Sequence, residues 1–220
     1  MPAMAKSRRS TPRPPSKNSP KLVPIGTGAV WRVHCAPYRP TQFNSSEIGD
    51  ARFSPIRRPD GTTIPVLYGA STLAGAMMET VFHDVPTPPG GYILDVESLR
   101  EQNLVVSRIR PKRRLPTVDL STKGLKRLGL QRTDLIDTPV TAYPQTRAWA
   151  EWLHGATAAR GLAWTSRQDD GARAVALFGD RLSESAFRVE VDREPLCEDE
   201  RLDALLELAE HIGMERLFGL

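Results

Sequence analysis

Val66-Leu67-Tyr68-Gly69-Ala70-Ser71-Thr72-Leu73-Ala74-Gly75-Ala76-Met77-Met78-Glu79 reads as a strand ending in a tyrosine, a turn of small residues, and a helix carrying one carboxylate two turns in. The helical pattern extends over Thr72–His83, with Leu73, Met77, Thr80 and Val81 on one face. Glu79 falls away from that face. Its neighbours one turn back are Gly75 and Ala76, side chains small enough to leave open floor beside the carboxylate.

Outward from this run, the pattern switches between periods of two and 3.6. Ala29–His34 alternates, with Trp31 and Val33 on one face and Arg32 and His34 on the other. Further strands are expected at 64–68, 92–96, 104–109, 162–166, 174–178 and 187–191. Helical stripes run through Gln145–Arg160, with Trp149, Trp152, Leu153 and Ala156, and through Leu202, Leu205, Leu206, Ala209 and Ile212 near the C-terminus. Pro59-Asp60-Gly61 reads as a hairpin tip, Pro88-Pro89-Gly90-Gly91 as a loop and Asp169-Asp170-Gly171 as a turn. Strands and helices do not alternate regularly, so the expectation is an α+β domain with a mixed, largely antiparallel sheet.

At 220 residues, with 40% hydrophobic and 25% charged residues, the chain can bury a substantial core. No apolar run approaches bilayer-spanning length and no apolar stretch follows the basic N-terminus, so no membrane partner and a cytoplasmic location are expected. Residues 1–21 carry a charge of +6 and the rest of the chain −2, so the pI near 9.3 describes a tail rather than a basic body. Residues 1–26, rich in Pro, Ser, Lys and Arg, are expected to be a disordered tail, with residues 27–220 forming one domain that ends in an acidic amphipathic helix. Cys35 and Cys197 lack metal-type spacing and are expected as free, at least half-buried thiols. His34, His83, His154 and His211 are scattered, His154 reading as structural. Glycine-rich phosphate loops, H-E-x-x-H and paired C-x-x-C are all absent from the sequence. Any nucleotide must therefore be handled without those devices.

Several short motifs in order carry a family resemblance. They are Trp31-Arg32, Ala51-Arg52-Phe53-Ser54-Pro55, Tyr68 with Ala70-Ser71, Glu79, Gly161-Leu162-Ala163-Trp164-Thr165-Ser166-Arg167, and Leu177-Phe178-Gly179-Asp180-Arg181. From about residue 30 to 192, the chain resembles the RES-domain family of bacterial toxin–antitoxin pairs. Phe53-Ser54 stand where many members carry Asn or Trp after the signature arginine. The resemblance implies a fold like that of the diphtheria-type ADP-ribosyltransferases and NAD as substrate, with no metal. It also implies a helix-turn-helix (Xre-type) antitoxin whose C-terminal segment covers the NAD site, with operator DNA bound only through that partner. The ADP-ribose acceptor stays open among water, phosphate and a protein side chain.

The implied chemistry asks for few parts. Cleaving the nicotinamide–ribose bond expels a neutral base and leaves an oxocarbenium-like sugar, so no acid is needed for the leaving group. The enzyme must clamp the pyrophosphate, hold the pyridinium ring and set negative charge beside the cation. Glu79 suits the carboxylate. Arg52 and Arg32 could supply the clamp, since a guanidinium donates two parallel bonds to phosphate. Phe53 and Ala51 would anchor the backbone while Arg52 faces outward. The Tyr68 ring could stack on the pyridinium, and Ser166 could orient Glu79 or a ribose hydroxyl. Two other classes compete. Residues 108–132 hold nine basic residues against Asp119, a charge of +8 that could serve a nucleic-acid-binding protein or ribonuclease toxin. The acidic C-terminal helix, in a segment of net −5, could instead serve an interaction protein or lie across that basic run.

Overall fold

The computed structural model of the chain describes residues 19–26, 28–85 and 93–216. In chain order the elements are β1 (Leu22–Ile25), β2 (Val30–Cys35), β3 (Ile56–Arg57), β4 (Thr63–Ile64), β5 (Val66–Ala70), α1 (Leu73–Met78), β6 (Ile93–Leu94), α2 (Val96–Glu101), β7 (Leu104–Pro111) and β8 (Leu115–Asp119). They continue with α3 (Thr122–Arg127), α4 (Arg132–Leu135), α5 (Tyr143–Ala156), β9 (Gly161–Thr165), β10 (Arg173–Phe178), β11 (Phe187–Pro195), α6 (Asp199–His211) and β12 (Glu215–Arg216). Eight strands form one sheet in the order β1-β8-β9-β10-β5-β2-β7-β11. Every neighbouring pair in it is antiparallel except β8–β9. The fold is thus the expected α+β domain with a largely antiparallel sheet.

Alternation assigns the faces. Tyr68 and Ala70 of β5 lie opposite Ala176 and Ala174 of β10, and Ala174 lies opposite Trp164 of β9, so these residues share one face. That face carries two separate cores. Over β5, β8, β9 and β10, a cluster built on Val118, Leu162, Trp164 and Phe178 packs against Leu125, Leu135, Ala150 and Leu153 from α3, α4 and α5. Over β2 and β7, Val33 and Val106 pack with Met77, Leu99, Leu205 and Ala209 from α1, α2 and α6. The opposite face holds a third cluster around Val30, Leu67, Ile109, Val175 and Leu177. The boundary between the first two cores falls where β2 meets β5, and there the strands pair only at Trp31–Ala70.

Several local expectations need correction. Leu22–Ile25, assigned by sequence to the tail, forms β1 and pairs along its length with β8. Pro24 lacks an amide donor, so it masks a strand in the sequence, yet it is tolerated here because β1 is the sheet edge. The rest of the tail, Tyr92 and the loop at 88–91 lie outside the described residues, apart from Ser19, Pro20, Lys21 and Gly26. The segment expected as a strand at 92–96 supplies only Ile93–Leu94 before Asp95 caps α2 by accepting from the Ser98 amide. The helix expected to reach His83 stops at Met78. The Met77 carbonyl takes bonds from the amides of Thr80, Val81 and Phe82, and buried Phe82 draws the chain inward, so residues 79–84 run as turns. Glu79 therefore sits at the helix C-cap rather than two turns inside. Cys35 is exposed, while Cys197 is buried, which pushes its thiol above the usual value. α6 packs its apolar stripe on the α1 core rather than across residues 108–132. The hairpin at Pro59-Asp60-Gly61 and the turn at Asp169-Asp170-Gly171 form as expected, each aspartate accepting from an amide two residues on. Among the described residues no helix is long and apolar enough to cross a membrane.

Candidate active site

A cavity of about 390 Å3 opens at the seam between β2 and β5. Arg32 and Val33 line it from β2, Tyr68 and Gly69 from β5, Trp164 from β9 and Ala174 from β10. Ala76, Glu79, Thr80, His83 and Asp84 come from α1 and the turns after it, Asp50, Ala51 and Arg52 from the loop before β3, and Tyr143 from the start of α5. Four of the five residues picked out by sequence reasoning border this space, and the fifth, Ser166, holds one of them.

Glu79 is half-buried, and Ser166 Oγ donates to its Oε1 at 2.6 Å. Ser166 is fully buried just beyond β9 and also accepts from the amides of Gln168 and Asp169 at 3.0 and 3.1 Å. With two donors aimed at its oxygen, its one hydroxyl hydrogen is directed to Glu79. Ser166 thus fixes the carboxylate without bordering the cavity. Ala76 lines the floor beside Glu79 as expected, but Gly75 serves packing: a Cβ there would meet that of Ala172 at 2.4 Å. Thr72 caps the helix, accepting from the Gly75 amide at 3.0 Å.

Arg52 is 7% exposed and does not face open solvent, because its guanidinium turns inward. It donates to Thr138 Oγ1 and lies 5.1 Å from the Tyr143 ring centroid in a cation–π contact. The backbone is anchored on both sides: fully buried Phe53 meets Trp164 edge-on at 5.0 Å, and Thr146 Oγ1 donates to the Arg52 carbonyl. Burial lowers the Arg52 guanidinium below the usual arginine value, yet it stays a cation at neutral pH. Arg167 donates to the Thr138 carbonyl at 2.9 Å and braces the same loop.

Arg32 donates to the Pro40 carbonyl, its Nε has no hydrogen-bond partner among the described residues, and burial pulls its guanidinium down to about 10. A buried donor without a partner beside a cavity is suited to an anionic ligand. Tyr68 is half-buried. Its hydroxyl accepts from the Phe53 amide at 3.0 Å, and burial pushes it up to about 12, so it stays neutral. Gly69 is a close approach. A Cβ there would meet Val30 Cγ1 at 2.4 Å, the Trp31 carbonyl at 2.8 Å and Arg32 Cγ at 3.3 Å. Gly69→Ala is accordingly expected to push β2 off its only bridge to β5, at about 2 kcal/mol. In a thermal melt this should read as a loss of roughly 4–8 °C, and an unchanged melting temperature would refute the tight seam.

Sequence reasoning missed Tyr143, Thr138, His83 and Asp84. The only signal was that His83 and Asp84 follow Glu79 by four and five residues; Thr138 and Tyr143 come from segments remote in sequence. His154 is structural as expected, bonded to Asp180 at 3.0 Å and packed edge-on against Phe178. The basic run is not one uniform field. Arg108 and Arg110 pair with Glu190, Arg132 pairs with Asp137 at 2.8 Å, and Arg127 donates to the Ser19 carbonyl.

A family model described as the RES domain matches residues 29–199. In fold, the chain is similar to a chain of the crystal structure of the M. tuberculosis MbcT–MbcA toxin–antitoxin complex, at a TM-score of 0.57 and 15% identity. The alignment covers 88% of this chain and 92% of that one. No curated protein matches the sequence.

Proposed function

Because the chain belongs to the RES-domain family, we propose that it is the toxin of a toxin–antitoxin pair and that it cleaves the nicotinamide–ribose bond of NAD, passing ADP-ribose to an acceptor. The observation that carries this reading is the Glu79 carboxylate, held by Ser166 at 2.6 Å and facing a cavity shared with Arg52, Arg32 and Tyr68. These are the parts the reaction needs: fixed negative charge for the oxocarbenium, guanidinium groups for the pyrophosphate and a neutral aromatic ring for the pyridinium. The cavity volume lies within the range of small-molecule sites.

In this mechanism Arg32 and Arg52 bind the pyrophosphate, Arg32 through the Nε that lacks a partner among the described residues. The pyridinium lies against Tyr68. As the C1′–N bond breaks, its electron pair passes to the ring nitrogen and nicotinamide leaves neutral. Glu79 stabilises the cation that develops at the ribose, and Ser166 keeps the carboxylate aimed without reorganisation. The partner in this proposal is an Xre-type helix-turn-helix antitoxin that occludes the cavity, any operator contact being made through it.

The test is purified protein with NAD, with and without phosphate and with cell lysate, following free nicotinamide and labelled ADP-ribose. Nicotinamide release that stops when the partner is added is the expected result. Intact NAD after prolonged incubation with folded protein would sink the proposal.

A further inference from the structure

Resting on the NAD reading above, we infer that His83 and Asp84 form a general-base pair, and that the acceptor is therefore a neutral hydroxylic molecule, water or an alcohol, rather than an anion such as phosphate.

His83 and Asp84 line the same cavity as Glu79. His83 Nδ1 lies 2.8 Å from Asp84 Oδ1, and Nε2 lies 3.4 Å from the Tyr143 hydroxyl, which itself borders the cavity. With Nδ1–H donating to the carboxylate, Nε2 presents its lone pair inward, and the long Tyr143 contact is one that a better-placed hydroxyl can replace. The backbone is fixed as well: Gln168 Nε2 donates to the His83 carbonyl at 3.0 Å, while the Gln168 amide donates to Ser166 Oγ. One turn thus holds both the carboxylate assigned to the cation and the imidazole assigned to the acceptor.

The step balances without a further reactant. An acceptor oxygen forms its bond to C1′ with a lone pair as the C1′–N bond breaks toward nicotinamide. The acceptor's proton passes to His83 Nε2, the resulting imidazolium is stabilised by the Asp84 carboxylate, and the proton leaves to solvent after product release. An anionic acceptor would need no such base. It would also meet the carboxylates of Glu79 and Asp84 on the lining, Asp50 being paired with Arg147. The titratable and charged groups lining the cavity with His83 are Asp84, Tyr143, Tyr68, Glu79, Asp50 paired with Arg147, Arg52 and Arg32.

The experiment uses full-length wild type, His83→Gln and Asp84→Asn with NAD across pH, in four arms: water alone, added methanol, added azide and added phosphate. Wild type should form ADP-ribose and its methyl glycoside, at a rate that rises with pH to a plateau, as general-base catalysis requires. His83→Gln should lower both products about 100-fold and abolish that rise, while the azide adduct falls far less. Asp84→Asn, at a position whose side chain is 92% exposed and so tolerant of change, should lose about tenfold and keeps the test open should His83→Gln misfold. Equal losses of the water and azide products, an unchanged pH profile, or wild-type transfer to phosphate outrunning transfer to water would overturn the inference while leaving NAD cleavage standing. Absence of nicotinamide release from wild type in every arm would overturn both.

Discussion

Nicotinamide release by the Glu79→Gln variant is expected to fall by about 10²- to 10³-fold, some 3–4 kcal/mol of transition-state stabilisation, while NAD still binds. The substitution keeps shape and removes charge. Glutamine can still meet Ser166, whose hydroxyl is bonded to Glu79 Oε1 at 2.6 Å and turned there by two amide donors. What is lost is negative charge beside a cation that exists only as the glycosidic bond breaks, so kcat rather than KM should carry the defect. Stopped-flow or steady-state nicotinamide assays paired with a direct binding measurement separate the two. Wild-type turnover in the variant would remove Glu79 from the mechanism.

Arg52→Lys is the second large effect expected, a fall in kcat/KM of roughly 30- to 150-fold, corresponding to about 2–3 kcal/mol for lost charge-assisted bonds. Charge is conserved, but an ammonium cannot keep the Thr138 bond, stack its plane on Tyr143 and offer a fork to phosphate at once. Arg113→Lys is the control: Arg113 lies exposed in the turn between β7 and β8, outside the cavity lining, and its replacement should be silent. Equal losses at both positions would mean that diffuse positive charge, rather than a built site, attracts the substrate.

The sequence was most legible where a function sits on a local run. Tyr68 and Glu79 share one strand–turn–helix stretch, and alternation alone separated Arg32 from the apolar face of its strand. Legibility failed where distant segments converge. Tyr143 and Thr138 reach Arg52 because α5 packs across the sheet, and no periodicity encodes that contact. The end of α1 was misread because Thr80 and Val81 continue a helical pattern that buried Phe82 interrupts. β1 and β8 were hidden by Pro24 and Pro116, which face each other across the pair. The edge position of β1 is a property of the assembled sheet and is not written in its own segment.

The single bridge between Trp31 and Ala70 has a mechanical meaning. Strands β1, β8, β9, β10 and β5 form one slab and β2, β7 and β11 another; each has its own core on the shared face, while α1 touches both and the cluster around Val30 and Leu67 spans the joint on the opposite face. Arg32 belongs to the second slab, whereas Tyr68 and the residues packed on Arg52 belong to the first. A dinucleotide gripped by both arginines would act as a rivet across the joint, so that loading the site and tightening the protein become one event. Occupancy would then be paid in rigidity, and the slabs would be freest to breathe in the moment after product leaves.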